Sequence, residues 1–381
     1  MGELARAADH EPWRDGRVAT IFFGGGTPSL FAPDSIAEVL AAVRRQWPCS
    51  ESIAHSRQST VTSSQSESSR DPRPSTINYQ LSTIDSEVET TLEANPGTVT
   101  LDTLRAFRAA GINRVSFGAQ SFNPRHLARL GRVHDAHQTV EAVHLARQAG
   151  VANISLDLMF AVPGQTLPEW EADLERAVSL APEHLAVYSL TYEEGTTFHA
   201  MRRRGELVPV PEDLDLAMFT QAQETLGAAG YRQYEISNFA RPGHESRHNV
   251  KYWKREGTTG LGPSAHSLLF PGERAPHGLR AANPPSLAEY GKSIREGRLP
   301  WTVEQACRYE DAWKESLIFG LRMTDGVDLG DLEQTIGAPP DPLRHAVNEL
   351  VAGGRLLEEN GRLRLPGELL FVSNEVLQRL A

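Results

Sequence analysis

The chain has 381 residues, of which 40% are hydrophobic and 23% charged, ample apolar material for a core, so wholesale disorder is excluded. Its formal charge of -11, from 38 Lys and Arg against 49 Asp and Glu, argues against a broad nucleic-acid-binding surface. Only two cysteines are present, Cys49 and Cys307, so a disulfide framework is excluded; with no membrane-length apolar run and no apolar core in the opening MGELARAADHEPWRDG, a cytoplasmic location is expected.

In chain order, the candidate strands are Val18–Phe23, Val88–Leu92, Arg114–Phe117, Ile154–Met159, His184–Leu190 and Tyr234–Ser237. Helical patterns lie between them. Ile36, Val39, Leu40, Val43 and Trp47 form one apolar stripe with Pro33 near its start. Leu101–Ala110 and Ala136–Ala149 end at Gly111 and Gly150, and Pro168–Leu180 and Pro211–Ala229 open with proline. Strand alternating with helix predicts parallel pairing through crossover helices; a barrel, a partial barrel and an open doubly wound sheet all fit. One stretch breaks the pattern. Residues 50–86 contain twelve Ser and four Thr in 37 positions and read as a disordered insertion. From position 301 the pattern changes to helices at Cys307–Met323, Asp331–Ile336 and Pro342–Ala352, then two short apolar arms around Asn360-Gly361, a hairpin signal. Together they predict a small winged-helix-like domain; having no basic cluster, it is expected to pack or cover rather than bind DNA.

The informative polar residues follow the strands. VATIFF runs into Gly24-Gly25-Gly26-Thr27, VETTL into Glu93-Ala94-Asn95, RVSF into Gly118-Ala119-Gln120, ISLDLMF holds Asp157, and HLAVYSL runs into Thr191-Tyr192-Glu193. In a parallel barrel such strand ends open onto one face, which reads as a small polar-ligand site. Three consecutive glycines allow close backbone approach and positive φ, yet this run is neither a P-loop nor a dinucleotide fingerprint.

The blocks TIFFGGGTPSL, LEANPGT, GINRVSFGAQSF, LGRVHDAHQTVEAV, NISLDLMFAVPGQTLPEW, HLAVYSLTYEEGTTF, YRQYEISNFARPGHESRHNVKYW and GLGPSAHS occur in this order. Together they resemble the oxygen-independent coproporphyrinogen oxidase group of radical S-adenosylmethionine (SAM) proteins, most closely its heme chaperone branch, HemW. The likeness covers nearly the whole chain outside the Ser-rich insertion.

The resemblance implies an α/β fold: a partial (β/α) barrel over residues 1–240 missing its first strand, a connecting segment over 241–300, and a winged-helix-like α+β domain over 301–381. It implies that Gly25, Gly26, Thr27, Glu93, Gln120, Arg132 and Asp157 bind SAM, with Thr191 and His266 as further cofactor-lining positions. HNVKYW fits the HNxxYW pattern of the heme chaperone branch, which makes His248 a candidate heme ligand, with His244 and His266 as alternatives. The family also holds a 4Fe-4S cluster on C-x-x-x-C-x-x-C, a motif not found in these 381 residues. The chain enters in what corresponds to the end of the first barrel helix, so that strand and the cluster loop are expected to be missing. A longer true protein and a cluster-less relative both account for this. As written, the chain is expected not to cleave SAM. The implied function is a heme chaperone passing heme to an acceptor protein, which can be transiently membrane-associated. The alternatives are an oxygen-independent coproporphyrinogen III oxidase and a cluster-less barrel that binds a metabolite or partner.

Overall fold

Five of the expected strands pair as the alternation of their side chains requires: β1 (Thr20–Phe23), β2 (Glu89–Ala94), β3 (Arg114–Gln120), β4 (Asn153–Phe160) and β5 (His184–Ser189). The structure is a computed structural model that describes residues 1–9, 17–47 and 88–381; Cys49 and the Ser-rich segment lie outside these. The five strands are parallel and adjacent in chain order. Two short strands, β6 (Arg232–Gln233) and β7 (Asn238–Ala240), complete a mixed seven-stranded sheet in the order β1-β2-β3-β4-β5-β7-β6. The order of the parallel strands never reverses, so the doubly wound alternative is not the one adopted. Right-handed crossovers that step in a single direction leave all the connecting helices on one face.

Tyr234–Ser237, expected as a strand, is instead the turn joining β6 to β7. Side-chain hydrogen bonding explains the difference. The Ser237 N–H donates to the Glu235 carboxylate, and the Tyr234 hydroxyl is engaged by the backbone N–H of Ser246 and the ring of His184. These polar contacts hold the bend, and the backbone of the segment pairs with residues 322–324 through an isolated Glu235–Met323 bridge.

Before and between the strands come α1 (Gly2–Asp9), α2 (Pro33–Gln46), α3 (Leu101–Ala110), α4 (Pro124–Arg129), α5 (Ala136–Gln148), α6 (Leu167–Ser179), α7 (Thr197–Arg203) and α8 (Glu212–Ala228). Their ends follow local chemistry. Thr100 and Asp135 cap α3 and α5 through reciprocal bonds with Thr103 and Gln138, and Gly111 closes α3 at φ 119°. Pro211 sits just outside α8 rather than in its first turn. The helices bury Leu104, Phe107, Trp170, Leu174, Met218 and Leu226 against the sheet face carrying Leu92, Val115, Phe117, Ile154, Leu156 and Leu185.

The chain next crosses the opposite face of the sheet as α9 (Arg247–Trp253). An antiparallel sheet of β8 (His266–Leu269), β9 (Leu279–Ala282) and β10 (Val303–Ala306) follows, with α10 (Leu287–Arg295) between its last two strands. The C-terminal region contains α11 (Tyr309–Gly320), β11 (Val327–Asp328), α12 (Leu329–Ile336), α13 (Asp341–Ala352), the hairpin β12 (Leu357–Glu359) and β13 (Arg362–Arg364), and α14 (Ser373–Leu377). Asn360 and Gly361 take φ of 55° and 75° at the hairpin tip, the left-handed pair that a tight two-residue turn requires. The α11 helix starts at Tyr309, so Cys307 precedes it. Trp313, Leu317 and Leu343 join the same apolar cluster as the large sheet. No helix among the described residues is long and apolar enough to cross a membrane.

Candidate functional site

Strand registers determine which polar residues share a face. Glu93 pairs with Ser116 and Ser116 with Ser155, which puts Glu93, Ser116 and, two residues beyond Ser155, Asp157 on the face opposite the helices. Asp157 pairs with Ala186, so Tyr188 lies one pleat further along on that same face. The Ser116 hydroxyl donates to Asp157 at 2.9 Å. Burial, with the Glu93 charge adding to it, pushes the Asp157 carboxyl up to about 6 despite the Ser116 bond and the positive charges of Arg114 and Arg132. Burial likewise raises Glu93 and lowers Arg132. Tyr188 is raised by burial and by the charges of Asp157, Glu235 and Glu93, although the residue as a whole remains 39% exposed.

The glycine turn closes one end of this group. The Gly25 N–H donates to Glu93 Oε2 at 3.0 Å, and the Asn95 amide donates to Thr27 Oγ1 at 3.0 Å. Gly25 and Gly26 have φ of 79° and 68°, and a Cβ at either would meet no atom within 4 Å. These two glycines are therefore needed for backbone conformation, and open space faces them. Gln120 ends β3 at φ 64°, a left-handed conformation rare outside glycine, beside a register shift in the β3–β4 pairing. Its buried amide lies against Gly118, where a Cβ would come within 2.9 Å of Nε2. Arg132 has a buried Nε with no hydrogen-bond partner among the described residues. Two interacting carboxylates, an arginine with an unmet donor and an open glycine turn suit a ligand carrying both a cation and a carboxylate.

The structure thus brings Gly25, Gly26, Thr27, Glu93, Arg132 and Asp157 to one end of the strands, with Gln120 at the neighbouring strand end. Thr191 lies in the exposed loop after β5, and no hydrogen bond joins it to the others among the described residues. His266 lines a cavity that also reaches Gly25 of the glycine turn. This cavity, of about 770 Å³, runs along the edge of β1, with Thr20, Phe22, Gly24, Gly25, His248 and His266 in its wall. His248 projects from α9. Its Nδ1 lies 3.0 Å from the Thr20 hydroxyl, its ring stacks on Phe22 at 4.7 Å and 15°, and Tyr252 meets it edge-on at 5.1 Å. Burial and the nearby Lys251 charge push its pKa down to about 4, so the imidazole is neutral at pH 7. No hydrogen bond engages Nε2 among the described residues. His244 is placed differently: its carbonyl accepts from Arg114, and it does not line the cavity.

Several site neighbours were absent from the sequence reading. Ser116, Tyr188, Thr20 and Phe22 all sit inside predicted strands, where alternation separates the two faces but does not say which residues of the polar face meet a ligand. Glu89 is another: its buried carboxylate accepts the N–H groups of Arg247 and His248 and so fastens the start of α9 to the sheet. Among the described residues, no three His, Cys, Asp or Glu are placed to hold a metal ion. Cys307 is buried beside Arg255, Arg280 and Glu315. The described residues therefore do not fit a 4Fe-4S cluster.

Comparison with known proteins gives a consistent outcome. Residues 1–177 match the Radical SAM superfamily and residues 309–368 the HemN C-terminal domain. The chain is 31% identical over 360 residues to the heme chaperone HemW of Bacillus subtilis, covering 94% of this chain and 84% of that protein. It is 32% identical over 344 residues to the heme chaperone HemW of Escherichia coli, covering 90% and 78%. A solved structure of the Escherichia coli coproporphyrinogen III oxidase HemN, a radical SAM enzyme, superposes with a TM-score of 0.74 at 20% identity, covering 100% of this chain and 81% of that one. This last likeness concerns the fold.

Proposed function

The chain belongs to the HemW family of radical SAM proteins, and we propose from that premise that it binds heme and passes it to an acceptor protein. One observation carries the proposal. The histidine of HNxxYW stands in the wall of a large cavity as a neutral imidazole, with one nitrogen held by the protein and the other unengaged. A neutral imidazole is the form that ligates iron. At about 770 Å³ the cavity falls within the ~300–1,000 Å³ typical of ligand pockets. Tyr252 is 47% exposed beside the histidine and supplies an aromatic surface for a macrocycle.

Under the same proposal, the group at the strand ends holds SAM. Glu93 and Asp157 face its cationic parts and ribose, Arg132 its carboxylate, and the Gly25-Gly26-Thr27 turn runs along its amino acid end. Gln120 and Thr191 border that space, and His266 lies where it meets the heme cavity. The parallel strands are read as an incomplete barrel, and the C-terminal region as a winged-helix-like cover. The acceptor is a protein that takes up heme, soluble or transiently membrane-associated.

Hemin titration of the purified chain tests this reading. Wild type is expected to give a saturable Soret band, and His248→Ala is expected to lose it or shift it to that of free hemin. No band in the wild type would sink the proposal.

A further inference from the structure

We propose that Thr20 is a positioning residue for heme: its hydroxyl accepts the Nδ1 proton of His248 and thereby presents Nε2 to the iron. The inference rests on the reading of His248 as the ligand. The supporting geometry joins two elements far apart in the chain. Thr20 is on the edge strand β1 and His248 on α9, 228 positions later, yet Oγ1 and Nδ1 are 3.0 Å apart. Phe22, two residues along the same strand and so on the same side, stacks on one face of the imidazole at 4.7 Å and 15°. Tyr252 closes a further side at 80° to the ring. The backbone of the histidine is tied down separately, because its N–H donates to Glu89 at 3.0 Å. Ring plane, ring rotation and helix position are thus each set by a different contact.

The chemistry follows from the two nitrogens of a neutral imidazole, only one of which carries a proton. When iron takes Nε2, the proton must sit on Nδ1, where an acceptor holds it and raises the basicity of the ligating nitrogen. Thr20 supplies that acceptor. The second proton-holding group usually found behind a metal-bound histidine is a carboxylate or a carbonyl; here it is a hydroxyl, a weaker acceptor, which suits a ligand meant to be released.

The test uses the full chain with hemin and compares Thr20→Val, Thr20→Ser and His248→Ala. Valine keeps the shape and removes the hydroxyl, and serine restores it. Thr20→Val is expected to weaken hemin affinity by ~10-fold, the lower end for loss of a group behind a metal ligand. It is also expected to lower the iron–histidine stretching frequency of the ferrous complex in resonance Raman spectra, with Thr20→Ser returning both toward wild type. A merely structural role would not move that frequency. If His248→Ala abolishes the band while Thr20→Val leaves frequency and affinity unchanged, the positioning role is overturned and the heme reading stands. If His248→Ala leaves the spectrum intact, the ligand assignment itself fails, and this inference with it. Should Thr20→Val not fold, Thr20→Ala against Thr20→Ser makes the same comparison.

Discussion

The two faces of the large sheet are built from alternate residues of the same strands, and they do opposite work. The face toward α3, α5, α6 and α8 carries Leu92, Val115, Phe117, Ile154, Leu156, Leu158 and Leu185, all fully buried. The other face carries Glu89, Glu93, Arg114, Ser116, Ser155, Asp157, His184 and Tyr188. It is itself graded along the strands. At the strand starts Glu89, Arg114, Ser155 and His184 are sealed beneath the segment that contains α9, and their polar atoms are paired: Ser155 with His184, Arg114 with Asn153 and the His244 carbonyl. Further along the strands Glu93, Asp157 and Tyr188 are only partly covered, as is Ser116, the register partner of Ser155. One face supplies stability through apolar burial. The other holds its charges in a half-desolvated state, which favours a ligand able to compensate them. A one-residue slip of any strand would exchange the two, so the apolar face also holds the site in register.

The largest way to break the first face without touching the second is Trp170→Ala. Trp170 is fully buried, packs beside Phe160 at 5.4 Å and donates from Nε1 to the Met218 carbonyl at 2.9 Å. Removing it leaves a cavity and an unmet carbonyl, for an expected loss of about 3–5 kcal/mol in denaturant-measured stability. The hemin spectrum of the molecules that remain folded should be unchanged, because Trp170 lies on the far side of the sheet from His248. A changed spectrum would mean that the faces are not independent.

Asp157→Asn sharpens the contrast from the polar side. The carboxyl of Asp157 rises from 3.8 to about 6 in the folded protein. A folded state that holds its proton more tightly than the unfolded chain loses relative stability as pH rises through that window, and the deficit is complete above about 6. Asparagine removes the deficit, so the ligand-free variant is expected to be more stable than wild type at pH 8, by at most about 3 kcal/mol. Its stability should also fall less steeply with rising pH between 4 and 6 than that of wild type, by the share that Asp157 contributes beside the other buried carboxyls Glu93, Asp173, Asp215 and Glu235. SAM affinity, measured by calorimetry, should fall in the variant, and in wild type it should weaken below about pH 6 as the carboxylate is protonated. A variant less stable than wild type at pH 8 would identify Asp157 as structural.

The sequence revealed the two faces unequally. The helix-facing side was legible because apolar spacing, glycine stops and capping residues are local signals. The range Leu101–Ala110 with Gly111 was read to the residue, and Ala136–Gln148 to within one. The grouping of Gly25, Glu93 and Asp157 was legible from blocks shared with a family, and strand registers then explain why they meet. What stayed hidden depends on contacts distant in sequence. The Tyr234 turn is held by His184 and the Ser246 N–H, and Thr20 meets His248 only through the crossing of α9. Tyr234 and Ile236 alternate with Glu235 and Ser237, so a local pattern favours a strand there. Glu89 looked like an ordinary polar residue near the start of the Val88–Leu92 strand, since nothing near it in sequence indicates that a helix start will land on its carboxylate.

Glu89 also gives the smallest of these effects and the one that connects both halves of the polar face. Its two oxygens accept from Arg247 and His248 at 3.2 and 3.0 Å, so a negative charge sits at the beginning of α9 while the helix carries the candidate heme ligand. Glu89→Gln removes the charge and turns an NH2 toward one of the two N–H donors, so one bond to a charged acceptor is lost, for an expected ~1.5 kcal/mol in stability. Glu89 holds the start of α9, while His248 on Thr20 and Phe22 and Trp253 beneath Arg322 hold the rest, so the loss should show first as loosened docking of the helix start. Amide exchange at residues 247–253 is expected to accelerate in the variant while exchange in β3 and β4 stays at wild-type rates. Hemin affinity should fall less than in Thr20→Val, since the ring contacts with Thr20 and Phe22 remain. Uniform acceleration across the sheet would instead show that Glu89 supports the whole polar face, and the division into a sealed half and an open half would lose its energetic meaning.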